Sequence, residues 1–201
     1  MDLATLFAVP IASFSHAHLR DMNAEIAALM IAESERATSL QVSNIGNWHS
    51  PNNLHERPEA CFQYLASLIK INARKLIETL AKRTGLADLP AAESLSMWAM
   101  VMRKGHYTKP HTHSNAHWAV VYYPDIGDEN KGEHKHSGDI AFTDPRVAHL
   151  PIPGLERETG EFTVSPQTGQ MLIFPGWLTH YVHPYQGERP RVSVACNIYY
   201  A

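Results

Sequence analysis

An HxH pattern of histidines is the feature of this sequence whose residue types and spacing most directly indicate chemistry. The chain contains 13 histidines, and a single residue separates His111 from His113. On an extended strand, residues i and i+2 point to the same face, so both imidazoles could reach one ion. Neutral imidazole binds Fe, Zn, Cu and Ni. The pair alone also fits a polar strand edge with solvated rings, so the hypothesis of a metal site depends on further residues.

A third histidine, His180, is placed to complete such a site. It ends the sequence FPGWLTH, which follows the apolar segment QMLIF and contains a Pro-Gly turn, and we expect its side chain to project into a cavity. A hydrogen-bonded surface histidine is the alternative at any single position. Three nitrogen ligands would occupy one face of an octahedron and leave three positions open. Oxygen-activating enzymes use open sites of this kind to bind substrate and O2 at one redox metal.

An arginine opens the last apolar segment of the chain, RVSVACNI, shortly after His180. The polar residues Arg191, Ser193 and Asn197 share one parity and therefore one face of a strand. A guanidinium on an inward face needs a partner, because a buried unpaired charge is costly. A carboxylate matches it in a bidentate geometry, which makes Arg191 a candidate anion-binding residue. A structural salt bridge with Asp or Glu is the alternative.

The elements that must position these residues change in character at Pro90. Before it, apolar residues recur at helical spacing in two segments, and Pro58 and Gly85 mark the start and the end of the second one. A polar stretch rich in Asn, Ser and Gly indicates a loop anchored by Trp48. We predict an edge strand at 6–14, helices at 17–36 and 59–84, and a loop at 39–53.

After Pro90, short strand-like segments alternate with turns rich in Gly and Pro, and no helical pattern interrupts them. This sequence pattern predicts two antiparallel sheets in a sandwich or barrel, with the helices packed on one face. No repeat or linker divides the chain, so we expect one domain over 1–201, with a helical part at 1–90 and a β core at 91–201. The predicted strands are 95–103, 117–123, 138–142, 160–164, 170–174 and 191–200.

Composition excludes several classes of protein. The 201 residues are 44% hydrophobic and carry a formal net charge of -3, so no basic excess indicates binding to nucleic acid or an anionic membrane. Cys61 and Cys196 do not form a disulfide framework or a thiolate zinc motif. No apolar run reaches the roughly 18 residues of a membrane-spanning helix, and Asp2 stands where a signal peptide carries positive charge. We expect a soluble cytoplasmic protein whose partners are a small-molecule or protein substrate and a second copy in a homodimer.

The order of these motifs resembles the Fe(II)- and 2-oxoglutarate-dependent dioxygenases, and most closely a bacterial family within that superfamily. The resemblance covers about residues 95–200 and rests on HxH, Tyr-Tyr, SGDIAFTDPR and GQMLIFPGWLTHYVHPYQGERPRVSVACNI. The segment LFAVPI near the start of the chain shows a weaker similarity. It implies a double-stranded β-helix, or jelly-roll, core with N-terminal helices. It also implies Fe(II) and 2-oxoglutarate as cofactors, and oxidation of a substrate without a side chain acting as general base.

The resemblance assigns a role to individual residues. His111 and His180 match the first and last iron ligands of the superfamily. Arg191 matches the basic residue that binds the far carboxylate of 2-oxoglutarate, and Ser193 would assist it. Tyr123 follows the pattern of a tyrosine that helps to hold this carboxylate in the prolyl hydroxylase-like members. It has the parity of the HxH pair if the strand between them is unbroken.

The chain departs from the superfamily pattern at His113, which stands where an aspartate ligand is expected. A neutral imidazole in place of a carboxylate leaves the iron site with one more unit of positive charge. A three-histidine iron site is chemically reasonable, and we expect His113 to be the third ligand because ligand spacing on one strand is the tighter geometric constraint. The acids Asp125, Asp128 and Glu133 in the following loop could otherwise supply an oxygen ligand.

Two other functions fit parts of the pattern. The first is a cupin-type metalloenzyme, because Gly105 precedes the HxH pair at cupin spacing, and Gly169, Pro175 and His180 fit the second cupin motif. Cupins share the fold but do not need Arg191. The second is a module that binds metal or ligand without catalysis, in which further histidines close the site. Those histidines are His106, His117, His134, His136 and His183, and Trp98, Trp118 and Trp177 are candidate pocket walls.

Overall fold

The computed structural model describes residues 8–85, 89, 93–113, 115–128, 134–146 and 160–200. Within them lie two α-helices, one 3₁₀ turn (Leu54–Glu56) and eleven strands. The helices are α1 (Arg20–Ser34) and α2 (Ala60–Thr84). The strands are β1 (Ala12–Ser15), β2 (Asn44–Ile45), β3 (Trp48–His49), β4 (Glu93–Met102), β5 (Tyr107–His111), β6 (Trp118–Asp125), β7 (Ile140–Thr143), β8 (Glu161–Val164), β9 (Gln170–Pro175), β10 (His180–Val182) and β11 (Arg191–Tyr200).

The helix α2 follows the predicted apolar stripe. Phe62, Leu65 and Ile69 recur at i, i+3 and i+7, and each is fully buried. The helix ends at Gly85, whose φ of 72° lies in the left-handed region and whose N–H closes the last turn on the Ala81 carbonyl. Glycine adopts this conformation without steric cost, so the predicted C-terminus of α2 is confirmed.

Two antiparallel sheets form the body of the protein. The six-stranded sheet has the order β1-β9-β6-β11-β4-β3, and the five-stranded sheet has the order β2-β5-β10-β7-β8. One apolar cluster joins α1 and α2 to the outer face of the six-stranded sheet. A second cluster, which includes Tyr123, Leu172 and Phe174, lies between the two sheets. The predicted jelly-roll with helices packed outside is confirmed.

Several boundaries differ from the prediction. The first strand begins at Ala12, beyond Pro10, and pairs at the edge of its sheet with β9, whereas residues 6–7 of the predicted strand lie outside the described residues. The helix α1 is shorter than predicted at both ends. The polar loop contains β2 and β3, and Trp48 anchors it, because the buried indole donates from Nε1 to the Ala37 carbonyl at 3.0 Å.

The strands β5 and β10 were not predicted, although they position the histidines. The strand β5 contains Pro110 and several polar residues, and β10 is only three residues long. Neither has the run of alternating apolar residues that identifies a strand in a sequence. Each is specified by its pairing within the five-stranded sheet.

Among the described residues, neither helix is both long and apolar enough to cross a membrane. Both cysteines are free thiols.

Candidate functional site

Two of the candidate ligands are direct neighbours across a strand pair. His111 is the last residue of β5, and it faces His180, the first residue of β10, in antiparallel register. His113 lies two residues beyond the end of β5, in a turn. Its N–H donates to the carbonyl of Gly176 at 2.7 Å, which fastens this turn to the segment that leads into His180. The β5–β10 pair and this one turn contact therefore bring all three histidines together.

The three imidazoles converge on one point. Ring centroids are 4.3 Å apart for His111 and His180, 5.3 Å for His111 and His113, and 5.1 Å for His113 and His180. One nitrogen of each ring lies within 4.8 Å of the other two, a spacing that suits a single ion. Among the described residues, this is the one group of three or more His, Cys, Asp or Glu side chains with such geometry.

A hydrogen bond at Nδ1 orients each of these rings. The Nδ1 of His111 lies 2.7 Å from the Lys109 carbonyl, and the Nδ1 of His180 lies 2.9 Å from the Leu178 carbonyl. Because a carbonyl oxygen only accepts, each Nδ1 carries the proton and each Nε2 keeps its lone pair. Metal-binding histidines in proteins are commonly fixed through the second ring nitrogen in this way.

Burial keeps these imidazoles neutral. It lowers the pKa of His180 to about 3 and that of His113 to about 4, and the hydrogen bond to Asn197 only partly opposes the shift at His113. Burial is also the largest cause of the lowered pKa of His111. Neutral imidazole is the form that ligates a metal, so at neutral pH the site is ready to bind without releasing protons.

Arg191 is buried in the same cavity, with 1% of its surface exposed. Its guanidinium donates to the Gly138 carbonyl at 3.1 Å and contacts the Met102 sulfur at 3.4 Å. Among the described residues, no carboxylate forms an ion pair with it, and the buried Asp139 acts on it only at longer range. A guanidinium has five donors in a planar fork, so most of its capacity to bind a carboxylate is unused.

Two buried hydroxyls beside Arg191 also lack a protein partner. Within the described residues, Tyr123 Oη and Ser193 Oγ make no hydrogen bond of standard geometry, although the Tyr123 hydroxyl interacts electrostatically with Arg191. The Arg191 guanidinium lies over the Tyr123 ring at 5.1 Å, and burial raises the pKa of Tyr123 to about 12, so its hydroxyl keeps a proton to donate. A buried charge and two unpaired donors indicate a built site for an anion such as a carboxylate.

The histidines and the anion site share one cavity of about 300 Å³ between the two sheets. All six predicted site residues line it, together with apolar walls. Tyr123 reaches it from β6, the neighbour of β11 in the same sheet. The strand that carries Tyr123 is also separate from the HxH strand, because β5 ends at His111. The predicted residues are His111, His113, His180, Arg191, Ser193 and Tyr123.

The loop acids do not offer a further ligand within the described residues. Asp125 pairs with Arg189 at 3.0 Å, and Asp128 accepts from the Glu188 N–H at 2.6 Å. Glu133 lies outside the described residues. Of the additional histidines, His106 and His117 use Nδ1 as acceptors from backbone N–H groups of Arg103 and Tyr200. His134 and His136 are exposed, as predicted for a solvated loop.

Two residues next to the histidines were missed as functional candidates. His49 is buried and stacks on Trp98 at 5.6 Å, and Trp98 stacks at 5.6 Å on His113. Asn197 holds the Nδ1 of His113 at 2.5 Å. In the sequence, Asn197 has the same parity as Arg191, which predicts that both lie on one face of the strand. Only the position of the turn after β5 in the structure shows that Asn197 contacts a histidine. His49 lies on β3, which the polar sequence did not indicate as a strand.

The sequence matches the model of a known family. The sequence model of the family described as "Putative 2OG-Fe(II) oxygenase" matches residues 96–197, which is half of the chain. That region spans β4 to β11 and contains every candidate site residue. A search of the curated proteins finds no significant match.

Solved structures share the fold at low sequence identity. A prolyl-4-hydroxylase from Pseudomonas putida is 17% identical, with a TM-score of 0.62 over 96% of this chain and 94% of that one. A prolyl hydroxylase from Trichoplax adhaerens, solved with a hypoxia inducible factor peptide fragment, is 15% identical, with a TM-score of 0.64 over 94% and 83%. HygX from Streptomyces hygroscopicus, solved with nickel and 2-oxoglutarate, is 13% identical, with a TM-score of 0.61 over 94% and 82%.

Proposed function

Because this chain belongs to the 2OG-Fe(II) oxygenase family, we propose that His111, His113 and His180 hold its Fe(II). We propose further that Arg191, with Ser193 and Tyr123, binds its 2-oxoglutarate. The observation that carries both assignments is one cavity with three converging imidazoles and a buried guanidinium that lacks a carboxylate partner.

The donor set fits this metal and this cosubstrate. Three neutral imidazoles with free Nε2 lone pairs suit a divalent transition metal and leave other coordination positions open. The Arg191 fork suits a carboxylate, and the unpaired hydroxyls of Ser193 and Tyr123 can donate to the same group. When bound, Fe(II) and 2-oxoglutarate supply an oxidation by O2 that releases succinate and CO2.

The chain itself contributes binding, orientation and exclusion of water. Arg191 fixes one end of the cosubstrate on β11, at the side of the cavity formed by the six-stranded sheet. Val121, Phe174 and Val182 line the same cavity with apolar surface, and each is at least nine-tenths buried. An apolar wall keeps the effective dielectric low and strengthens the pairing of Arg191 with a carboxylate.

Val42, Asn52 and Asn115 line the cavity and are exposed, and we propose that the substrate enters where they lie. Among the described lining residues, Arg191 is the one Lys, Arg, Asp or Glu side chain. We assign Arg191 to the cosubstrate, so the part of the substrate that reaches the metal is uncharged. Either a small molecule or a segment of a protein could present such a group.

Metal binding tests the ligand assignment. Anaerobic calorimetric titration of Fe(II) into the metal-free protein should give one ion per chain. Replacing His111, His113 or His180 with Ala should weaken Fe(II) binding at least tenfold, since each change removes one of three ligands. His117→Ala is the matched control, because that imidazole bonds to the Tyr200 N–H outside the cluster and should leave Fe(II) affinity unchanged. Unchanged affinity in His113→Ala would refute the three-histidine site.

A further inference from the structure

The hydrogen bond that orients His113 differs from those of the other two histidines. Backbone carbonyls of Lys109 and Leu178, each two residues before its own histidine, hold the rings of His111 and His180. His113 instead meets a side chain from another strand, the amide of Asn197 on β11. A backbone carbonyl can only accept, whereas an amide can accept or donate, so the orientation of the Asn197 amide decides where the proton of His113 lies.

A second contact holds the amide in place. Oδ1 faces His113, and Nδ2 lies 3.1 Å from the Tyr199 hydroxyl, which accepts from it in this orientation. With Oδ1 as the partner, the proton of the neutral imidazole sits on Nδ1 and the lone pair sits on Nε2. A flipped amide would donate to Nδ1, move the proton to Nε2 and remove the lone pair that faces the other two rings.

We propose that Asn197 is a positioning residue that fixes His113 as the Nδ1–H tautomer and thereby makes it a ligand, with Tyr199 holding the amide. This inference rests on the proposed role of His113 in metal binding. Asn197 shares the inward face of β11 with Arg191 and Ser193. One strand therefore fixes both the third metal ligand and the proposed binding residues of the cosubstrate.

The chemical type of residue 197 also sets the charge behind the metal. A carboxylate at this position would draw the Nδ1 proton and make the imidazole a stronger donor, as in carboxylate–histidine–metal arrangements. The neutral amide orients the ring without adding a negative charge. Asn197→Asp should therefore preserve the tautomer and change the electronic environment of the metal, whereas Asn197→Leu should remove control of the tautomer.

The tautomer can be read directly in the metal-free protein by long-range ¹H–¹⁵N correlation NMR at neutral pH. His113→Ala assigns the signals of His113 by their loss. We expect protonated Nδ1 at His113 in the wild type and in Asn197→Asp, and a shift towards the Nε2–H form in Asn197→Leu. The rings of His111 and His180 are an internal control for folding, because backbone carbonyls hold them and their signals should not change.

Metal affinity gives the second measurement. Asn197→Leu should weaken Co(II) and Fe(II) binding by about 10- to 100-fold, the usual effect of removing a partner of a ligating histidine. Tyr199→Phe should cause a smaller loss in the same direction. Asn197→Asp should restore binding and shift the visible absorption of the Co(II) form. Asn52→Leu makes the same chemical change at the rim of the cavity and should leave both measurements unaltered.

The outcomes separate this inference from the ligand assignment. If Asn197→Leu keeps the Nδ1–H tautomer and binds metal within twofold of the wild type, Asn197 has no positioning role. If His113→Ala binds metal as tightly as the wild type, the ligand assignment fails and the inference fails with it, whatever the tautomer does. Should Asn197→Leu not fold, Tyr199→Phe and Asn197→Asp carry the test. Wild-type metal affinity in Tyr199→Phe together with an unshifted Co(II) spectrum in Asn197→Asp overturns the inference.

Discussion

The histidines of the proposed metal site make the stability of the metal-free protein depend on pH. Burial lowers the folded-state pKa of His113 to about 4 and of His180 to about 3, below the ordinary value of 6.5 that the unfolded chain retains. His111 is shifted in the same direction. At a pH between the folded-state pKa and the unfolded-state pKa of a histidine, the unfolded state binds more protons than the folded state. Stability is therefore full above about pH 6.5 and is lost as the pH falls towards 4.

This gives a prediction for the free energy of unfolding. In urea denaturation of the metal-free protein, the free energy of unfolding should fall between pH 6.5 and pH 4.5 by up to about 1.4 kcal/mol per pH unit for each of His113 and His180. His180→Gln should have a shallower dependence on pH, because one proton-binding difference is removed. The same slope in the wild type and in His180→Gln would contradict the lowered pKa of His180.

At the scale of residues, the sequence singled out six residues that line one cavity, but the physical argument was incomplete for one. The HxH argument assumed that His111 and His113 share a strand, whereas β5 ends at His111. His113 is brought into place by its N–H contact to Gly176 and by Asn197. Contacts between residues this far apart in sequence leave no local pattern, which is why Asn197 and His49 were not identified.

At the scale of elements, the turn between β9 and β10 joins two of the histidines. Gly176 accepts from the His113 N–H in this turn, and it has little room around it. A Cβ added at Gly176 would lie 2.2 Å from the Ala116 carbonyl oxygen and 2.6 Å from that of His113. Both are backbone atoms, so the turn itself would have to move.

We predict that Gly176→Ala lowers the free energy of unfolding by about 1–3 kcal/mol, as overpacking commonly does. It should also weaken Fe(II) binding, because the displaced turn accepts the hydrogen bond that holds His113 and leads into His180. Gly105→Ala is the matched control: an added Cβ meets no atom within 4 Å there, although φ is +83°. In urea denaturation, the free energy of unfolding of that variant should fall only by the cost of a left-handed backbone, about 1–2 kcal/mol. In calorimetry, the variant should keep wild-type Fe(II) affinity. Unweakened Fe(II) binding in Gly176→Ala would contradict this role of the turn.

The predictability of the elements follows from their length and pattern. The strands β4, β6, β9 and β11 contain long apolar runs, and the sequence located each of them within a few residues. The strands β2, β3, β5 and β10 are five residues or fewer, and they carry polar or histidine side chains. Their conformation depends on pairing with other strands, which no short window of sequence contains.

At the scale of the whole molecule, the proposed site exists only because two sheets face each other. His111 and His180 belong to the five-stranded sheet, whereas Arg191, Ser193 and Tyr123 belong to the six-stranded sheet. Solved structures at 13–17% identity share the fold of two facing sheets, because many sequences meet the requirement of two apolar inner faces. The division into a helical part at 1–90 and a β core at 91–201 stays a prediction. Strands of the first part belong to the sheets, since β1 and β3 are edge strands of the six-stranded sheet and β2 is an edge strand of the five-stranded sheet.

The most direct test of this account is the binding of 2-oxoglutarate across the cavity. Calorimetric titration into anaerobic Fe(II)-loaded protein should show one site per chain in the wild type. Arg191→Leu should weaken binding by about 2–5 kcal/mol, because it removes one partner of a buried charge pair, while Fe(II) affinity stays nearly unchanged. Arg189→Leu, at an exposed arginine paired with Asp125, should bind 2-oxoglutarate as the wild type does. Equal affinity in Arg191→Leu and the wild type, or no binding to the wild type, would contradict the assignment of Arg191.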